Sequence, residues 1–235
     1  MTKLHRAFIL AFLGSFLFIN RASAVEELAV CRYCGQYHAA ISFDPPTPGR
    51  KYAPDRQVDV LHIKIDVTPD FDKNTVAGTT TLTFAPISKP LTELRLDAVR
   101  LAIDEVTGTS EVSDFVVSDD ALTIQFAEPI PVGQEASVTV KYSAQPAKGL
   151  YFRTAKMGYP EEDTHVWTQG ETHEARHWFP CFDYPNERSS TEVICHVPPE
   201  MTVISNGRKV SEEVNSETGL KTVHWLQEKP HVSYL

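Results

Sequence analysis

Leu61-His62-Ile63-Lys64-Ile65-Asp66-Val67 alternates apolar and polar residues without a break. At a period of two, Leu61, Ile63, Ile65 and Val67 share one face, while His62, Lys64 and Asp66 share the other. That is the pattern of a half-buried strand, with His62 an ordinary solvent-side or rim residue. Pro69-Asp70 through Asn74 reads as a polar turn, after which Val76, Gly78, Thr80, Leu82 and Phe84 resume the alternation. Short strands are expected over 91–96, 101–107, 115–117, 121–126 and 136–142, separated by Pro86, Pro90, Gly108, Asp119-Asp120, Pro129, Pro131 and Gly133. Evenly spaced short strands, with turn residues between them and no helical periodicity of any length, predict an all-β fold, an antiparallel sandwich or barrel. Nothing resembles a βαβ unit or a phosphate loop.

A second half opens at Gly149-Leu150-Tyr151-Phe152 and is interrupted by Glu161-Glu162-Asp163, a solvated loop. Strands are expected over 191–197, 201–204 and 221–226, with Ser205-Asn206-Gly207 as a turn. The sequence stops at Leu235 inside an apparent strand, as a piece of a longer product would.

Residues 1–24 have the spelling of a signal peptide. Lys3, His5 and Arg6 are followed by a mostly apolar run of thirteen, Ala7 to Ile19, and by the small-x-small site Ala22-Ser23-Ala24. The run is shorter than the roughly 20 residues that a bilayer-spanning helix needs. An exported protein, periplasmic or extracellular, is expected, with no transmembrane segment in the mature chain. Cleavage would remove three cations and no acid, taking the formal charge from −9 to −12. So acidic a chain disfavours nucleic acid and anionic membrane as partners.

Residues 25–54 form a Cys-containing arm and a Pro-rich linker, with four Pro and a Gly between Phe43 and Pro54. All four Cys lie in the mature part, where disulfides persist, and Cys31 and Cys34 are close enough to bridge locally. Gly35 after Cys34 excludes haem attachment. Cys31, Cys34 and His38 lack an evident fourth zinc ligand, so no metal is assigned to them.

The unusual residues gather in Trp167-Thr168-Gln169-Gly170-Glu171-Thr172-His173-Glu174-Ala175-Arg176-His177-Trp178-Phe179-Pro180-Cys181-Phe182-Asp183-Tyr184-Pro185. The stretch is too polar for a core strand and too aromatic for a solvated loop, which points to a buried wall facing something polar. Its bland content is structural. Trp167, Trp178, Phe179 and Phe182 fill a core, Arg176 pairs with Asp183 or Glu174, and Pro180 and Pro185 fix the connections. Its sharper content is Gln169 and Glu171. If 166–171 is extended, both side chains share a face with Gly170 leaving room between them, and a carboxylate beside an amide suits a cationic amine. His173-Glu174-Ala175-Arg176-His177 also spells the H-E-x-x-H zinc motif, which requires a helix. Residues 171–177 have no apolar helical face and Pro180 ends any such turn, so a small zinc protein built on His173 and His177 is only a rival reading.

Thr168-Gln169-Gly170-Glu171, Ala175-Arg176, Phe179-Pro180-Cys181-Phe182-Asp183, Pro185, Pro198 and Ser205-Asn206-Gly207, in this order, strongly resemble the amino-terminal domain of the zinc aminopeptidase family. That family includes aminopeptidase N and the leukotriene-epoxide hydrolase. The resemblance covers 55–235 and implies a saddle-shaped β domain followed by a catalytic domain. The catalytic domain carries a Gly-x-Met-Glu-Asn strand and the family's own H-E-x-x-H zinc site, and these 235 residues contain no Gly-x-Met-Glu-Asn strand and no such domain. It implies that Gln169 lines the first substrate pocket and Glu171 holds the free amino terminus of a peptide. Arg176, Pro180, Asp183, Pro185 and Asn206 are then structural, and zinc belongs to the complete enzyme rather than to this chain, which alone is expected to be inactive. Tyr184 replaces the Glu that many members carry before the Pro. The alternative is a secreted accessory module of the same fold that binds peptides without cutting them, and the downstream reading frame distinguishes the two.

Overall fold

The computed structural model of the chain describes residues 55–235. The leader (1–24), the arm and linker (25–54) and the Cys31 and Cys34 pairing lie outside the described residues. The strands are β1 Val58–Asp70, β2 Thr75–Pro86, β3 Leu91–Asp97, β4 Ala102–Gly108, β5 Val112–Val117, β6 Ala121–Ile130, β7 Ala136–Ala144, β8 Gly149–Arg153, β9 His165–Gln169, β10 Ser189–Val197, β11 Arg208–Val214 and β12 Lys221–His231. They form a seven-stranded sheet in the order β11-β12-β10-β1-β2-β7-β4, a three-stranded sheet β3-β6-β5, and the hairpin β8-β9. The all-β, multi-sheet architecture is as expected. Leu82 and Phe84 of β2, Val138, Val140 and Tyr142 of β7, and Leu122 and Ile124 of β6 are all at most 1 % exposed, and one apolar core runs through both larger sheets. Such interleaved inner faces are what period-two alternation builds.

Alternation fixes faces but not strand direction. Every pair in these sheets is antiparallel except β1 with β10, which run parallel in the register Ile63↔Thr191 to Val67↔Cys195. Cross-strand polar contacts line this seam, a hydrogen bond between His196 Nε2 and Asp66 Oδ1 at 2.8 Å and an ion pair with Lys64 Nζ 3.8 Å from Glu192 Oε1.

Leu61 departs from the expected face. It is 38 % exposed, whereas Val58, Val60, Ile63, Ile65 and Val67 are buried, because a bulge between Val60 and His62 shifts the register by one residue and flips the phase. The expected strand over 201–204 does not form: these residues pair in no ladder. β11 was not foreseen, since all seven of its residues are exposed and carry no apolar alternation; pairing with β12 alone makes it a strand. Among the described residues, no helix is long and apolar enough to cross a membrane.

Candidate functional site

The hairpin β8-β9 and the chain that follows it hold the residues singled out in the sequence. Leu150, Phe152 and Val166 turn toward the core, so Tyr151, Trp167 and Gln169 turn the other way. Gln169 ends β9 directly across from Gly149. Extension stops there: residues 171–174 form a turn and Ala175–His177 a single 3-10 turn. Gln169 and Glu171 therefore do not lie along one strand face. They are joined instead by a local hydrogen bond, in which Gln169 Oε1 accepts the Glu171 N–H at 3.0 Å. Both side chains are exposed, and among the described residues nothing pairs with the Glu171 carboxylate.

Gly170 is buried and does leave room for close approach, but the room is taken by the chain's own backbone. A Cβ there would lie 2.9 Å from Tyr234 Cα and 3.1 Å from its carbonyl oxygen. The turn folds back over β8, where the Glu174 carbonyl occupies the space beside Gly149. Glu174 N–H donates to the Gly170 carbonyl at 2.9 Å, and its carboxylate accepts from Tyr151 OH at 2.9 Å and Lys148 Nζ at 3.2 Å. Burial pushes the Glu174 carboxyl up, but the Tyr151 hydroxyl and the Lys148 ammonium outweigh it and leave it below the usual range.

These contacts decide the fate of the H-E-x-x-H spelling. His173 and His177 do not share a helix, since His173 lies in the turn and His177 ends the single 3-10 turn, and Glu174 is committed to Tyr151 and Lys148. His173 packs on the Tyr184 ring at 5.4 Å and meets Thr172 Oγ1 at 3.2 Å. The residues present do not fit a metal here.

Arg176 pairs with Asp183, as one of the two expected partners, and not with Glu174. Its Nε lies 3.1 Å from Asp183 Oδ2, its Nη2 donates to the Asp183 carbonyl at 3.0 Å, and its own N–H reaches Asp183 Oδ2 at 3.2 Å. A second acid, Asp97 at the end of β3, was missed: Arg176 Nη1 is 3.3 Å from Asp97 Oδ1, and Asp97 Oδ2 accepts the Asp183 N–H at 3.0 Å. Ser233 Oγ donates to Asp183 Oδ1 at 2.7 Å. Asp97 and Asp183 are 4 % and 0 % exposed, so this is an ion cluster inside the fold. Asp97 ends the run Leu94-Arg95-Leu96-Asp97, and its bridge to Cys181, together with the Val99 N–H bond to the Arg176 carbonyl at 2.9 Å, brings it to the site.

Trp178 and Phe179 are buried as expected and Phe182 packs on the core, but Trp167 does not; Pro180 is buried as well. It is 48 % exposed and stacks on Tyr151 at 4.8 Å, because β9 is paired on one side only and its outer face is uncovered. Pro185 and Asn206 are exposed, Asn206 just before Gly207, whose φ of 85° suits glycine. Cys181 and Cys195 are free thiols, and burial pushes Cys195 up to about 11.

Burial also raises the Asp97 carboxyl, against the Asp183 N–H, Arg176 and Arg95, which pull it down. A group whose folded pKa is raised contributes stability below its unfolded pKa and loses it as the pH climbs through the folded value. Wild type is therefore expected to gain on Asp97→Asn as the pH falls from 7 to 4. Urea midpoints of both proteins across that range check it; a gap that narrows toward acid refutes it.

The sequence matches the peptidase M1 N-terminal domain over residues 59–235. Aminopeptidase M1-D of Oryza sativa subsp. japonica is 29 % identical over 159 residues, 63 % of this chain and 18 % of the relative. The M1 zinc metallopeptidase from Deinococcus radiodurans superposes with a TM-score of 0.65 at 23 % identity, over 77 % of this chain and 41 % of that one. Leukotriene A4 hydrolase from Saccharomyces cerevisiae superposes with 0.63 at 22 %, over 80 % and 31 %. The chain thus spans about a fifth of the length of the curated rice aminopeptidases it matches. With the match running through the hairpin, the Gln169–Glu171 turn and the Arg176 cluster, the chain belongs to the peptidase M1 N-terminal domain family.

Proposed function

We propose that this chain is the substrate-recognition part of an exported zinc aminopeptidase. Gln169 and Glu171 grip the free amino terminus of a peptide, and a module outside these 235 residues holds the zinc and cuts. The observation that carries this reading is the exposed Glu171 carboxylate, held beside Gln169 by the 3.0 Å bond from its own N–H and left unpaired among the described residues. An exopeptidase needs a fixed anion to demand an unblocked amino terminus, and an acetylated terminus leaves that anion unsatisfied. Export rests on the leader spelling of residues 1–24, and zinc in the complete enzyme on family membership.

The test is an NMR titration of the isotopically labelled chain with leucinamide and with N-acetyl-leucinamide. Leucinamide is expected to shift the Gln169 side-chain amide and the Glu171 backbone amide, the acetylated compound neither. Equal shifts with both, or none with either, would refute the reading.

A further inference from the structure

The Tyr151–Trp167 pair is the one stacked aromatic pair among the described residues with an indole about half open to solvent. Its position in the register gives it meaning. Trp167 and Gln169 are two residues apart on β9 and share a face, which places the indole about 7 Å along the strand from Gln169. The pair is also braced. Tyr151 OH donates to Glu174, Glu174 holds Lys148, and the Glu174 N–H is tied to the carbonyl of Gly170, which lies between Gln169 and Glu171. One hydrogen-bonded turn therefore fixes both the aromatic pair and the polar pair, at a spacing that suits the α-amine and the side chain of a single residue.

From this geometry we infer that Tyr151 and Trp167 form an aromatic shelf that receives the first side chain of the peptide and favours large apolar or aromatic residues there. The inference rests on Gln169 and Glu171 gripping the amino terminus. A rigid, pre-stacked aromatic face offers contact area with little side-chain ordering on binding. Its worth for one added side chain is that of a hydrophobic pocket contact, roughly 10-fold or more in affinity between a small and a large first residue. Because Trp167 approaches the ligand through its side chain only, its removal acts on that difference and leaves the amine contact in place.

The probes are alaninamide and phenylalaninamide, titrated into the isotopically labelled chain while the Trp167 indole N–H resonance, assigned from its loss in Trp167→Ala, and the Gln169 and Glu171 signals are followed. Phenylalaninamide is expected to shift all three sites and to bind roughly 10-fold more tightly than alaninamide, which shifts only Gln169 and Glu171. In Trp167→Ala the preference collapses to about twofold or less with the alaninamide affinity unchanged, and in Trp167→Phe most of it is retained. Two amides that bind equally at Gln169 and Glu171 with a silent indole would overturn the shelf and leave the grip standing. Phenylalaninamide that shifts the indole equally well in Glu171→Gln, or after acetylation, would overturn the grip and with it the shelf as described. Silence at every site overturns both.

Discussion

Replacing Arg176 by Met is expected to cost the domain about 3–5 kcal/mol of unfolding free energy, read from urea or thermal unfolding. The guanidinium lies 17 % exposed between two carboxylates that are themselves almost sealed, Asp97 and Asp183. Its Nε, Nη1 and Nη2 each meet one of these residues, so removal leaves two anions facing each other in the interior with only the half-exposed Arg95, its Nη1 3.6 Å from Asp97 Oδ1, still opposite one of them. One would have to take up a proton or draw in water, and breaking one side of a buried cluster costs several times what an exposed pair is worth. Against a total stability of about 5–15 kcal/mol, that loss would leave a marginal domain. Lys at the same position keeps the charge but has a single nitrogen for three directions, so Arg176→Lys is expected to fall between wild type and the Met variant. A Met variant that unfolds within about 1 kcal/mol of wild type would show that the two acids are not held by this residue.

This cluster also marks how far the sequence could be read. The Arg176–Asp183 pair is seven residues apart, within one stretch dense in unusual residues, and was visible as a candidate. Asp97 was not, since in a strand ending Leu94-Arg95-Leu96-Asp97 an acid reads as a solvent-facing end; what buries it is the distant bridge to Cys181. The same division runs through the fold. Strands whose buried residues recur at period two, such as β2 and β7, were legible because burial writes itself into the sequence. β11 has no buried residue and is made by its partner, the parallel seam of β1 with β10 is a tertiary choice, and a single bulge reversed the face of Leu61. At the site, residue identity was legible and shape was not. Gln169 and Glu171 stood out as an amide and an anion around a glycine. That the chain turns at Glu171 instead of continuing, and that Tyr234 fills the space at Gly170, depends on contacts with β8 and with a segment sixty-four residues further on.

In the longer enzyme to which we assign this chain, Glu171→Ala is expected to lower kcat/KM on amino-terminal amides by roughly 10²-fold, about 3 kcal/mol. A charge-assisted bond to an ammonium group in a closed site is worth that much because its loss leaves the cation desolvated and unpaired. The effect is expected to fall on recognition, while folding stays within about 0.5 kcal/mol, since Glu171 is exposed, with no partner for its carboxylate among the described residues. The pH dependence separates this role from a general electrostatic one. The grip needs a protonated amine, whose pKa in peptides is about 7.7–8.0, so KM for wild type should rise as the pH passes through that range. In Glu171→Ala that rise should flatten, because the residual site no longer distinguishes ammonium from amine. Gln169→Ala should do less, as it removes a neutral acceptor whose oxygen is already engaged by the Glu171 N–H. An Ala variant at position 171 with unchanged kinetics and the wild-type pH profile would remove this carboxylate from the site, and a variant that loses activity only in proportion to its loss of folded protein would reduce it to a structural residue.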